Sequence, residues 1–130
     1  MKFTGVKETC LYSANLELTK NFYAEKLGLE VVNYLANRHL FLRVGHSMLL
    51  FFNPEDSRQK TAPPGHYASG KMHIALEVPQ KNYLETKKQI LNSGVAIIHE
   101  ESWPSGLTSF YFEDPNGHVL EVVPAGLWGD

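Results

Sequence analysis

The order strand, helix, strand, strand, strand is written into this chain twice, and that repetition leaves few folds open to it. The first copy starts at KETCLY (7–12). Asn15 then stands where it can cap a helix whose Leu16, Thr19, Phe22, Tyr23 and Leu27 recur at helical spacing before Gly28 stops it. Three β-like runs follow: LEVVNY (29–34), HLFLRV (39–44) and SMLLFF (47–52). The second copy opens with MHIALEV (72–78), continues through a helical stretch from about Gln80 to Ser93 closed by Gly94, and again gives three runs: VAIIHE (95–100), SFYFE (109–113) and HVLEVV (118–123). The register holds, since the step from Glu8 to His73 differs by one residue from the step from Gly28 to Gly94. Between the copies, residues 54–70 are polar and rich in Pro and Gly, which marks a linker.

One such half cannot close a sheet around a core alone, whereas two copies together can. The expected fold class is therefore α+β: two βαβββ modules, about 5–53 and 71–124, forming a curved mixed sheet around a concave pocket with helices on the outer face. A chain of 130 residues, 43% of them hydrophobic, is long enough for one such domain (1–130) and too short for two ordinary ones.

The formal net charge of -2 and a pI near 6.3 give no electrostatic footprint for nucleic acid or an anionic membrane. Cys10 is the one cysteine, so the chain has no internal disulfide, and a reducing compartment is the simpler expectation. The start MKFTGVKE carries no apolar run, and no window approaches the ~20 apolar residues of a membrane span. A cytoplasmic protein with a small-molecule partner is expected.

The chemistry begins at FYFEDPNGHVLEVV (110–123), a hairpin turning through Asp114-Pro-Asn-Gly117. Val119, Glu121 and Val123 share one face of the returning strand, and a carboxylate between two valines is costly to bury unless a cation meets it. Glu8 and His73 sit on the first strands of the two halves, where inward-pointing residues face the end of the last strand, so all three are candidate metal ligands. Singly each has an ordinary account: a solvated Glu8, a structural His73, an ion-paired Glu121. Their matching positions in a repeated unit point to a shared metal site. His39, Phe41 and Arg43 alternate on one strand face and, with Phe51, are expected to line a substrate pocket; Arg43 is either a binder of anionic groups or merely exposed. HEESWPSGLTSFY (99–111) offers Glu101 as a base, Tyr111 as a hydroxyl donor and Trp103 as an aromatic wall or a loop anchor. His118, after the turn glycine, is expected at the surface, and nothing singles out His66 or His99.

NLELTKNFYAEKLGLEVV (15–32), HIALEV (73–78) and FYFEDPNGHVLEVV together resemble the vicinal oxygen chelate superfamily, which holds glyoxalase I, fosfomycin- and bleomycin-resistance proteins and extradiol ring-cleaving dioxygenases. The resemblance spans nearly the whole chain. It implies metal ligands at Glu8, His73 and Glu121. Two departures stand out: many members have His where this chain has Glu8, and residues 46–54 (HSMLLFFNP) lack the carboxylate that glyoxalase I places there. One imidazole and two carboxylates make an oxygen-rich set, which suits Mg, Mn, Zn or Ni as a Lewis acid better than Fe, though Fe stays open. The resemblance thus implies a divalent-metal-dependent, glyoxalase-like lyase, isomerase or transferase acting on a small substrate with adjacent oxygens. The alternatives are an extradiol-type dioxygenase and a metal-free resistance protein that binds a drug or metabolite. It also implies a homodimer, with the site either within one chain or shared between subunits.

Overall fold

The chain enters its first sheet through β1 (Glu8–Tyr12). Asn15 caps helix α1 (Leu16–Lys20), its side-chain oxygen accepting from the Leu18 amide at 3.0 Å. The helix widens into a π-helical turn, Asn21–Lys26, and Gly28, at φ +73°, reverses the chain. β2 (Glu30–Leu35), β3 (His39–Val44) and β4 (Ser47–Phe52) are antiparallel neighbours, and β1 returns parallel to β4, giving the order β1-β4-β3-β2. The computed structural model that shows this describes residues 1–129.

Strand alternation decides what each face of this sheet does. Leu40 and Leu42 of β3 are fully buried, and the register sets them beside Phe51 and Leu49 of β4 and Leu11 of β1. That face packs on Phe22 and Tyr23, with the Tyr23 and Phe51 rings 4.9 Å apart between centroids. Each such side chain contributes roughly 2–3 kcal/mol of burial. The opposite face carries Glu8, Cys10 and Tyr12 of β1 and His39, Phe41 and Arg43 of β3.

The stretch expected to be a linker folds instead onto this first unit, which runs from Met1 to Gly70. Asn53 caps a short helix, α2 (Pro54–Ser57), and the buried Ser57 donates its hydroxyl to the His66 carbonyl at 2.6 Å. The His66 ring meets Phe52 edge-on at 4.8 Å, and its Nδ1 pairs with the Tyr12 hydroxyl at 2.7 Å. Composition marked this segment as polar and turn-rich, which it is, but three contacts tie it down.

The second unit begins at Lys71. It comprises β5 (His73–Val78), a 3₁₀ turn (Gln80–Asn82), α3 (Tyr83–Asn92), β6 (His99–Ser102), β7 (Thr108–Glu113) and β8 (Val119–Pro124). Its sheet repeats the first in plan, order β5-β8-β7-β6, with β5 parallel to β8. Phe110, Phe112, Leu120 and Val122 form the buried face, and Tyr83 of α3 lies 5.4 Å from Phe110 between centroids. β6 starts later than the expected 95–100 run. Val95 is held by the helix end, its amide bonding the Ile90 carbonyl at 3.3 Å, so strand pairing waits until His99. The architecture is α+β, two βαβββ units each built on a mixed four-stranded sheet. Among the described residues no helix is long and apolar enough to cross a membrane.

Candidate functional site

The turn that carries β8 into place is built by one carboxylate. Asp114 Oδ1 accepts from the amides of Asn116 at 2.8 Å and His118 at 3.0 Å, and Gly117, at φ +81°, closes the reversal. His118, expected at the surface, is 2% exposed. Its Nδ1 accepts from the Met72 amide at 3.1 Å, so this imidazole sets where β5 begins and hence where His73 stands. Nothing in the local sequence announced that role, because the contact joins residues far apart in the chain.

His73 opens β5 opposite Val119, and Glu121 lies opposite Ala75 two residues further along β8. His73 Nδ1 is 2.9 Å from the Val119 carbonyl oxygen. A carbonyl only accepts, so Nδ1 carries the proton and Nε2 is turned toward Glu121, whose Oε2 lies 3.3 Å away. Glu121 is 6% exposed, and its Oε1 is buried with no hydrogen-bond partner among the described residues. An ionised oxygen in that position is unfavourable by itself. The donor set suits a divalent cation: a backbone carbonyl fixes the tautomer and aims the free nitrogen. Two ligands each about 2.0–2.2 Å from one ion stand about 3.0–3.5 Å apart, which is the separation found here.

Of the expected trio, the structure brings His73 and Glu121 together. Glu8 opens β1 in the first unit, exposed and opposite Met48. Among the described residues no group of three His, Cys, Asp or Glu side chains is placed to hold a metal ion. On the same face as Glu121, Tyr111 is its direct cross-strand neighbour, and its ring lies 6.1 Å from that of His73. Burial pushes the Tyr111 phenol above its ordinary range, and Glu121, as hydrogen-bond partner and as a charge, pushes the same way against Ser109. His99 lies opposite Tyr111, and Glu101 is 2.6 Å from His99 Nε2. Trp103 is a loop anchor, its indole donating to the buried Ser109 hydroxyl at 2.9 Å.

The pocket-lining expectations for the first unit divide. His39 and Phe41 stack at 4.2 Å on the open face of β3, and His39 Nε2 pairs with Asn33 at 2.6 Å. Burial, then the charges of Lys60 and Arg38, hold the His39 imidazole below its ordinary value. Arg43 shares their face but is already paired with Glu30 at 3.1 Å. Phe51 is corrected: it points to the opposite face, is 0% exposed and packs on Tyr23. Cys10 is half-buried beside Glu8, and burial foremost raises its thiol.

A βαβββ unit with strand order 1-4-3-2, used twice in one chain, defines a class of α+β proteins made of paired modules. Residues 5–122 match the sequence model of the Glyoxalase/Bleomycin resistance protein/Dioxygenase superfamily, and the chain belongs to that superfamily. It is similar to the crystal structure of lactoylglutathione lyase from Agrobacterium tumefaciens, at 32% identity over 100% of both chains and a TM-score of 0.93. It is 22% identical to the metallothiol transferase FosB of Staphylococcus epidermidis over 125 residues, 94% of this chain and 82% of that one. The fold is shared as well by the fosfomycin resistance protein FosX from Listeria monocytogenes, solved with Mn(II) and 1S,2S-dihydroxypropylphosphonic acid. There the identity is 20%, the coverage 97% and 94%, and the TM-score 0.71.

Proposed function

We propose that this protein is a divalent-metal-dependent enzyme, a lyase, isomerase or transferase, acting on a small substrate that presents two adjacent oxygens. His73 and Glu121 hold the metal, and Glu8 completes the set, supplied by the same chain or by a second copy in a homodimer. The observation that carries the reading is the His73–Glu121 pair itself, with Nδ1 tied to the Val119 carbonyl and Glu121 Oε1 buried and unpartnered among the described residues. Relatives named as a lyase and a metallothiol transferase, and one solved with Mn(II), support it.

A divalent ion bound there supplies Lewis acidity, which polarises a substrate carbonyl or steadies developing negative charge. The remaining work belongs to the chain. The Val119 carbonyl keeps the His73 ring oriented, and burial keeps water from Glu121. Tyr111, one strand over, offers a hydroxyl donor, as a phenol is protonated at neutral pH.

Elemental analysis after dialysis against Mn(II) or Zn(II) tests the assignment. Near-stoichiometric metal is expected in the native protein, and a loss of at least about 100-fold in affinity is expected in His73→Ala or Glu121→Ala. Undiminished binding in Glu121→Ala would remove this site from the account, and no metal in the native protein would leave a metal-free binding protein.

A further inference from the structure

We propose that His99, Glu101 and the ring of Tyr111 form the subsite for the far end of the substrate, and that it takes a hydrogen-bond-donating tail, a hydroxyl or an ammonium, in preference to a carboxylate or phosphonate. The inference rests on the chelating site proposed at His73 and Glu121.

The sheet of the second unit lines these groups up. His99 stands opposite Tyr111, and Tyr111 opposite Glu121, so the three occupy one row across β6, β7 and β8. Two strand spacings separate His99 from Glu121, about 10 Å. The Tyr111 ring bridges that interval, with its centroid 6.1 Å from His73 and 5.6 Å from His99. It is the floor on which the middle of a bound molecule rests.

At the far end, His99 Nε2 and Glu101 Oε2 are 2.6 Å apart, and both side chains remain open to an incoming group, at 58% and 43% exposure. An ionised Glu101 accepts hydrogen bonds whether His99 carries one proton or two. His99 Nδ1 has no partner among the described residues. The carboxylate at this end favours the same class of tail. An anionic tail would meet the Glu101 carboxylate, whereas a donor finds an acceptor in place. Trp103, fixed to Ser109, walls the same end, because Ser109 lies opposite Glu101.

The test compares dopamine with 3,4-dihydroxyphenylacetate, which share a vicinal oxygen pair and differ in tail charge, by calorimetric titration of the Mn(II)-loaded full-length protein. Dopamine is expected to bind about tenfold tighter, the worth of one charge-assisted hydrogen bond, with the preference falling below about threefold in Glu101→Gln. Equal binding, a preference for the carboxylate, or a preference untouched by Glu101→Gln overturns the proposal. A second arm needs no metal: tyramine and 4-hydroxyphenylacetate are titrated into the metal-free protein while the His99 imidazole and the Glu101 and Tyr111 amides are followed by NMR. Tyramine alone should move those signals, and the shifts should vanish in Glu101→Gln. Unmoved signals count against the subsite. Loss of Mn(II) binding with the tyramine shifts intact would instead break the chelating reading and leave the tail subsite standing.

Discussion

Glu121 is the residue at which stability and function pull apart. Its carboxylate is buried with one oxygen unpartnered among the described residues, a cost of about 1–3 kcal/mol for a buried polar atom. Replacing it by an apolar residue of similar size removes that cost. Glu121→Leu is therefore expected to raise the stability of the metal-free protein by about 1–2 kcal/mol while abolishing metal binding. Thermal unfolding in chelator measures it, and a lower melting temperature would show that the carboxylate is already satisfied. His39 makes a second residue-scale prediction. Its folded value is depressed, first by burial and then by Lys60 and Arg38, so the unfolded chain takes up its proton first as pH falls. The stability tied to neutral His39 is complete above its ordinary value of about 6.5 and is lost as pH drops toward the lower folded value. Urea unfolding between pH 7.5 and 5 should lose this part of its pH dependence in His39→Gln. An identical slope in both proteins would contradict it.

At the scale of elements, the bounds of β3 and β4 were legible to the residue, because HLFLRV alternates and Gly45 marks the turn into SMLLFF. Other features were hidden for physical reasons. SMLLFF is apolar on both faces, so its pattern could not say that Phe51 faces the helix while Phe52 faces the other way. VAIIHE has strand composition, yet the end of α3 claims Val95. Glu121 stood out because a carboxylate interrupts an apolar run, whereas His99 and His118 gave no signal, since their roles arise only when strands distant in sequence pair. The folded linker was hidden too, and one glycine shows how tightly it is drawn. A Cβ at Gly65 would lie 2.7 Å from the Lys60 carbonyl oxygen and 2.9 Å from those of Arg58 and Ser57. Backbone cannot yield cheaply, so Gly65→Ala is expected to destabilise by about 1–3 kcal/mol and to weaken the His66 contacts with Tyr12 and Phe52. Denaturant unfolding checks the first and the His66 imidazole resonances the second; a neutral substitution would mean that the segment is looser than drawn.

For the whole molecule, the repeat accounts for the economy of the design: one βαβββ plan, used twice, gives each copy a helix-covered core face and a second face with a different set of side chains. In the first copy that face carries His39, Phe41 and Glu8, and in the second His73, Glu121, Tyr111 and the His99–Glu101 pair. The central claim is that His73 and Glu121 grip one divalent ion with Glu8 as the third ligand. Anomalous scattering from crystals grown with Mn(II) tests it most directly. A single peak about 2.0–2.3 Å from His73 Nε2 and from a Glu121 oxygen, with a Glu8 carboxylate from either copy closing the set, is the predicted result. Bound manganese elsewhere, with Glu121 Oε1 still unpartnered, would contradict it.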